Sequence, residues 1–468
     1  MAGIGFELRR LKRDDTFLGT LQAYTASGII TSGPWIISIL SIAILSGLLH
    51  NLTDTANRLL ILSAVTHVYA FMLILTGAPS LVLTRFAADC FSEKTPEKIL
   101  PSYLAALTGV LILAAVVSGA FFYFGTSVSP LFQLAGVTLS LLVAGVFITS
   151  NYLGALKRYS AILIAFLCGY GLSCVLAYEL TRINPSDPAY ALAGFVIGHL
   201  VLFVLLFAAL YRELPHGKKI IDFGSFRYFA AFPFLALAGL FYNAGIWVDK
   251  LLFWWFSPDR EQIHGAMFGA PDYDVAVYLS ILSIVPGMAI FCLKLETEFA
   301  QHFTRYFKLL NGEGCLAALQ ETKERIAQAL REGLKLLARV QGITTVLLVI
   351  FADLITGALG LGEFQLGVVR VTLIGSFFLV LFLSLLTVLF YFDDRKGAVV
   401  ATFVFFAVNG GVTLVTLLSG QAYYGVGYVL AAVLGFAIAA TRTNQLLEKL
   451  EYRIFTANPF PKTKHTTA

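Results

Sequence analysis

The residues best placed to do chemistry lie in one apolar stretch, 228–256. It holds Asn243, Trp247, Asp249, Lys250 and Trp254. A charge inside hydrocarbon costs about 2.5–3.5 kcal/mol on insertion scales, so charged residues there face a cavity or a partner. Asp249 and Lys250 are adjacent. On a helix their side chains leave about 100° apart, so the two are not expected to pair. Lys250 shares a stripe with Asn243, Trp247 and Trp254, and Asp249 shares its neighbour with Tyr242 and Phe253. Rings cover the apolar face of a sugar, while amides and charges bond its hydroxyls. The stretch therefore reads as a substrate path carried by Asn243, Trp247, Asp249 and Lys250. The alternative is an interfacial tryptophan belt with Lys250 snorkelling to water.

Three further sets bear on transport. Tyr24, Ser27, Thr31, Pro34, Ser38 and Ser41 recur at steps of three and four, which makes one hydroxyl-rich helix face. Such a face lines a wet lumen or lets helices pack closely; Tyr24, Thr31 and Ser38 are the path candidates. Arg85 and Asp89 stand at i,i+4, as a local ion pair or as a gate that breaks on opening. His67 reads as a buried, hydrogen-bonded histidine, with a proton site as the alternative. Gly194 and Gly198 have the spacing of a helix-packing motif.

Motifs for catalysis are largely missing. Gly217-Lys218 lacks the upstream glycine of a P-loop, and no HExxH, nucleophile elbow or dinucleotide fingerprint occurs. Asp272-Tyr273-Asp274 resembles the acidic pair that holds a metal–nucleotide sugar in glycosyltransferases. It falls on the external side of the expected topology, where nucleotide sugars are scarce. Cys90, Cys168, Cys174, Cys292 and Cys315 form no CxxC pair, and no structural disulfide is expected. The chain is not expected to be an enzyme, and no metal or cofactor is expected. Without an ATP site, transport must draw on a gradient or a partner.

The elements that position these residues are apolar spans. About 20 apolar residues cross a hydrocarbon core of roughly 30 Å. Twelve such spans are expected at 20–49, 60–86, 101–124, 130–155, 159–181, 189–211, 228–256, 275–300, 340–357, 367–392, 397–419 and 422–442. With the N-terminus in the cytoplasm, 28 of 33 Lys and Arg fall on inner connections or tails and only Arg58, Arg182, Arg260 and Arg370 outside. Insertion retains bases on the cytoplasmic side, so this bias supports both the count and the direction. The 468 residues are 58% apolar and 13% charged, about half the charge of a soluble domain. The net charge of +5 reports topology and contact with anionic lipid; it is no sign of nucleic-acid binding. The basic start before a long apolar run reads as a retained first span, since a secretory apolar region is only about 7–15 residues.

The expected fold is all-α: twelve transmembrane helices in two six-helix lobes. Residues 1–212 form the first lobe, 213–227 a cytoplasmic linker, 228–443 the second lobe and 444–468 a cytoplasmic tail. Pro34 with Pro233, and Pro79 with Pro286, recur at matching places in the halves. This pairing implies an axis along the membrane normal. At 313–339, Leu316, Leu319, Ile326, Leu330 and Leu337 follow helical spacing, with charges between them. This predicts an amphipathic helix on the cytoplasmic surface, as a connector or a docking site.

The opening Gly5-Phe6-Glu7-Leu8-Arg9-Arg10, then Ser32-Gly33-Pro34-Trp35, then Thr84-Arg85-Phe86 with Asp89, resembles the PelG family of bacterial Pel exopolysaccharide systems. The match is densest in the first 90 residues; size, span number and basic loops extend it over the whole chain. The resemblance implies a flippase-superfamily fold with a central cavity between two lobes. It implies a polymer rich in N-acetylgalactosamine and galactosamine as substrate. It implies partners too: a cytoplasmic glycosyltransferase and other inner-membrane Pel components, one of which senses cyclic di-GMP. The expectation is thus a polysaccharide transporter of the bacterial inner membrane, multi-pass, with both termini cytoplasmic. A cation-coupled small-molecule exporter and a non-conducting scaffold of a synthase complex are the rival readings.

Overall fold

A computed structural model describes residues 17–217, 219–310, 312 and 315–452, with the side chains of 17–26, 30, 31 and 296 outside that description. Twelve helical runs are long and apolar enough to cross a membrane. They are α1 (Phe17–Leu49), α2 (Thr55–Ser92), α3 (Ile99–Gly125), α4 (Pro130–Ala155), α5 (Tyr159–Ile183) and α6 (Pro188–Glu213), then α7 (Pro233–Phe256), α8 (Pro271–Leu310), α9 (Leu316–Ile350), α10 (Glu363–Tyr391), α11 (Arg395–Ser419) and α12 (Val426–Glu448). Spanning helices are favoured because hydrocarbon offers no partner to an open backbone N–H or C=O. The chain carries Asp54, Ser129 and Asp187 as N-caps for α2, α4 and α6.

The two halves repeat one packing scheme. In the first lobe α5 packs on α6, α4 on α6, α2 on α4, α1 on α5, α3 on α4 and α2 on α3. Each pair recurs six helices later, as α11–α12, α10–α12, α8–α10, α7–α11, α9–α10 and α8–α9. The lobes meet through α2 with α7 and through α1 with α8, pairs that also exchange under the same shift. Gly194 and Gly198 let α6 lie against the α5 backbone at Leu176, Ala177 and Ser173, as their spacing predicts.

The prolines do not repeat as closely as the helices do. Pro34 lies inside α1, whereas Pro233 is the first residue of α7. Pro79 lies inside an unbroken α2, whereas Pro286 follows a break between Pro271–Leu282 and Val285–Lys294. The break in α8 is repaired by α9. The buried Gln341 donates from Nε2 to Ser283 O (3.0 Å) and accepts at Oε1 from Gly287 N (3.2 Å).

The segment at 313–339 is not a separate surface helix. Its described part, from Leu316, runs without interruption into the ninth span. Leu319 and Ile326 turn toward Tyr306 of α8 and Leu446 of α12, in one apolar cluster. Lys323 ties it to Glu451 at 2.7 Å. An amphipathic stripe fits protein as well as bilayer, and here α8 and α12 extend far enough to cover it.

At one end of the bundle lie the base-rich connections; this is called the basic end. At the other, α7 and α8 are joined by an antiparallel hairpin, β1 (Glu261–His264) and β2 (Met267–Gly269). Its turn leans on the end of α3, where Ala266 N donates to Gly125 O at 2.6 Å.

Replacing Gln341 by leucine leaves both groups at the α8 break without a partner, at about 1–3 kcal/mol for each buried polar group. Thermal unfolding of the purified protein is expected several degrees lower for Gln341→Leu than for the parent. An unchanged midpoint would show that the break needs no repair.

Candidate functional site

The centre of the second lobe holds a closed polar network. Lys250 Nζ lies 3.1 Å from both Asp249 carboxylate oxygens and donates to Ile246 O at 2.9 Å. Its ammonium stands 5.8 Å from the centre of the Tyr428 ring. Tyr273 donates to Asp249 Oδ2 (2.9 Å), and Asn409 donates to Asp249 Oδ1 (3.3 Å) and to Gly245 O (2.8 Å). Asp249 is 0% and Lys250 1% exposed. The expectation that these neighbours do not pair is overturned. Helix geometry fixes where Cβ leaves the backbone; the four-carbon lysine stem then bends back over one turn. Both charges sit among α7, α8, α11 and α12 of one lobe, away from the seam between the lobes.

The first lobe has a neutral counterpart. Tyr69 of α2 bonds His199 Nε2 of α6 (2.7 Å) and the Tyr170 hydroxyl of α5. His199 Nδ1 lies 2.9 Å from Phe195 O, which can only accept, so Nδ1 carries the proton and Tyr69 donates to Nε2. Helices α5 and α6 stand where α11 and α12 stand in the other half. The repeat thus keeps a polar centre in each lobe and places charge in one of them.

The other face of α7 forms the seam. Asn243 donates to Gly239 O (2.9 Å) and lies beside Gly77 of α2. One turn further, Trp247 shares an apolar cluster with Ala70 of α2. Its ring centre is 6.1 Å from that of Trp254 and 6.4 Å from that of Tyr278. His67 of α2 lies tilted against Trp254, with ring centres 4.3 Å apart, and Trp254 donates to Asp274 Oδ2 at 2.7 Å. Four buried polar atoms here have no partner among the described residues: Trp247 Nε1, Tyr278 OH, Asp274 Oδ1 and His67 Nε2. His67 Nδ1 is taken by Ser63 O (2.8 Å), which leaves Nε2 a bare acceptor. Orphaned buried polar atoms are uncommon, and several together call for an explanation.

Reading the sequence missed Tyr278, and it took Asp274 only as part of an acidic pair that was set aside. The signal was present: both lie one helical turn apart on α8, which also carries Tyr273. The hydroxyl face of α1 turns away from the seam in part. Ser38 donates to Pro34 O (2.9 Å), and Ser41 O faces Cys174 of α5 (3.5 Å). Ser27 instead reaches across, donating to Ala289 O of α8 at 2.8 Å. The side chains of Tyr24 and Thr31 lie outside the described residues.

At the basic end, Arg85 pairs with Asp89 at 3.0 Å and reaches Asp393 of the other lobe at 3.6 Å. Arg85 and Arg395 flank the Phe232 ring, at 5.4 and 4.4 Å from its centre. Asp89 also accepts from Tyr228; burial, with the charge of Asp89, pushes that hydroxyl above its ordinary value. The predicted pair is therefore one part of a contact between lobes.

The fold is similar to that of MOP superfamily transporters. A MOP superfamily transporter from Pyrococcus furiosus matches with a TM-score of 0.59 and 12% identity, over 90% of this chain and 96% of that one. A multidrug resistance MATE family transporter matches in its outward-facing conformation (TM-score 0.57, 12% identity, 90% and 96% covered). The inward-facing conformation of such a transporter matches too (TM-score 0.57, 12% identity, 87% and 95% covered). No curated protein matches the sequence. A family profile does, over residues 1–455: PelG, "Putative exopolysaccharide Exporter (EPS-E)". The chain belongs to this exopolysaccharide-exporter family and is a multi-pass membrane transporter.

A buried ion pair stripped of one partner leaves an uncompensated charge, at about 3–5 kcal/mol. Asp249→Asn and Lys250→Met are each expected to lower the thermal midpoint sharply, and the double substitution to recover most of the loss. A double variant as unstable as the sum of the two would contradict the pairing.

Proposed function

We propose that the protein carries an amino-sugar exopolysaccharide from cytoplasm to periplasm along the seam between its lobes. The observation that carries this reading is the group of unpartnered polar atoms among rings on α2, α7 and α8. A donor (Trp247), two acceptors (His67, Asp274) and a hydroxyl (Tyr278) make a mixed set, and a sugar offers both donors and acceptors. Trp247, Trp254 and Tyr278 supply the faces on which sugar rings stack. Each orphaned atom costs about 1–3 kcal/mol until something bonds it. When the lobes part, a passing chain fills that role.

Orientation follows from the bases. Their concentration at one end supports an inner-membrane protein with both termini in the cytoplasm. The Arg85–Asp393 contact then acts as a gate on the cytoplasmic side. The outer face of α9, with Glu324, Gln328, Arg331 and Lys335 exposed, is free for a cytoplasmic glycosyltransferase. Other inner-membrane components of the Pel system are further partners under this reading.

The cation-coupled rival needs a carboxylate free to take an ion. Asp249 is held by Lys250, Tyr273 and Asn409, which counts against it. Asp274, with one unpartnered oxygen, keeps that rival open to test.

Loss of a stacking face or a hydrogen bond weakens sugar contact by about 1 kcal/mol or more, roughly fivefold. Trp247→Ala and Tyr278→Phe are each expected to cut secreted polymer several-fold at constant protein level, read by lectin blot of culture supernatant. Full secretion from the double variant would remove this patch from the path. Altered drug susceptibility with unaltered polymer would favour the exporter of small molecules.

A further inference from the structure

The connection from α6 to α7 is built as a belt around the foot of α3. Gly217 lies against Glu97 O, Asp222 N donates to Pro101 O (3.1 Å), and Phe226 sits against Gly109. Tyr228 meets Phe86 of α2 at 5.1 Å between ring centres. As a result α3 is buried on nearly every side from Ile99 to Leu107, and its exposed apolar positions begin only at Ile112 and Leu113. A rise of 1.5 Å per residue puts Gly109 about 15 Å along α3 from its start. The belt therefore lies across the first turns of a spanning helix, where lipid would otherwise be.

Its outer surface is apolar and basic. Ile220 is 80% and Phe223 66% exposed, and Ile221 and Phe226 are exposed beside them. Apolar side chains this open, on a segment continuous with the lipid-facing surface of α3, have hydrocarbon as their natural cover. The exposed bases nearby are Lys98, Arg212, Lys219 and Arg227. The acids are fewer and partly engaged: Glu213 pairs with Arg158 at 2.7 Å, Asp222 caps Gly224 N at 3.2 Å, and Glu97 is exposed. Ile and Phe dipping between bases at this depth is the pattern of a segment lying in the interface plane.

We infer that residues 219–231 form an in-plane element that binds an anionic phospholipid, its headgroup held by Lys219 and Arg227 and its acyl chains covered by Ile220, Ile221, Phe223 and Phe226. The covalent joint between the lobes then rests on lipid as well as on α3.

The test uses the full-length protein in nanodiscs of phosphatidylcholine alone or phosphatidylcholine with phosphatidylglycerol, with hydrogen exchange read peptide by peptide. Phosphatidylglycerol is expected to slow exchange across 219–231 by about tenfold at low salt, less at high salt, and to leave α10–α12 unchanged. In Lys219→Gln/Arg227→Gln the lipid effect is expected to vanish while α10–α12 keep the parental exchange. In Ile220→Ser/Phe223→Ser the segment is expected to exchange faster in both lipids. Equal exchange of the parent in the two lipids would overturn the inference. So would a lipid effect of full size in Lys219→Gln/Arg227→Gln, or the same slowing from inorganic phosphate added to phosphatidylcholine discs.

Discussion

Two glycines facing each other hold the lobes together. Gly77 of α2 and Gly239 of α7 bring backbone against backbone: a Cβ on Gly77 would stand 2.7 Å from Gly239 O, and one on Gly239 would overlap Gly77 O. Hydrocarbon gives helices no hydrophobic reason to associate, so close van der Waals approach has to do it. From this contact the seam runs to Arg85 and Phe232 at one end and to His67 and Trp254 at the other. Any motion of one lobe on the other has to pass through this line or pivot on it. The seam between α1 and α8 is looser in the half away from the basic end. Helix α1 packs on Val285–Lys294, toward the basic end, and no comparable packing joins it to Pro271–Leu282 among the described residues.

The same lack of water explains the contrast between the lobe centres and the seam. In the centre of each lobe, around Asp249 and Lys250 in one and around Tyr69, Tyr170 and His199 in the other, the polar atoms are bonded to one another. At the seam several are left open. That division suits a machine whose lobes stay intact while the space between them changes occupant. Lys250 is part of the first class. Its ammonium is held inside the lobe by Asp249 and Ile246 O.

Much of this was legible in the residues alone. Period and length gave the twelve spans, because a membrane allows few other solutions, and the count of twelve suggested the two six-helix halves whose packing repeats. Side-chain ends were harder. Asp249 and Lys250 diverge at Cβ and converge four carbons later, and no helical wheel carries that information. Tyr278 and Asp274 acquire meaning only once α8 lies against α7, a contact between segments with a hairpin between them. The helix at 313–339 was visible, but what covers its apolar face depends on how far α8 and α12 project. The two prolines of α7 and α8 differ from their partners in α1 and α2 for a similar reason: a helix can start at proline, bend at it or break before it, and neighbours decide which.

The central claim is that cargo passes because the lobes separate. The direct measurement is export from a variant with Arg85→Cys and Asp393→Cys, bridged by a short reducible thiol cross-linker. The account predicts that bridging stops polymer secretion and that reduction restores it, with protein level constant throughout. Undiminished secretion from fully cross-linked protein would contradict it.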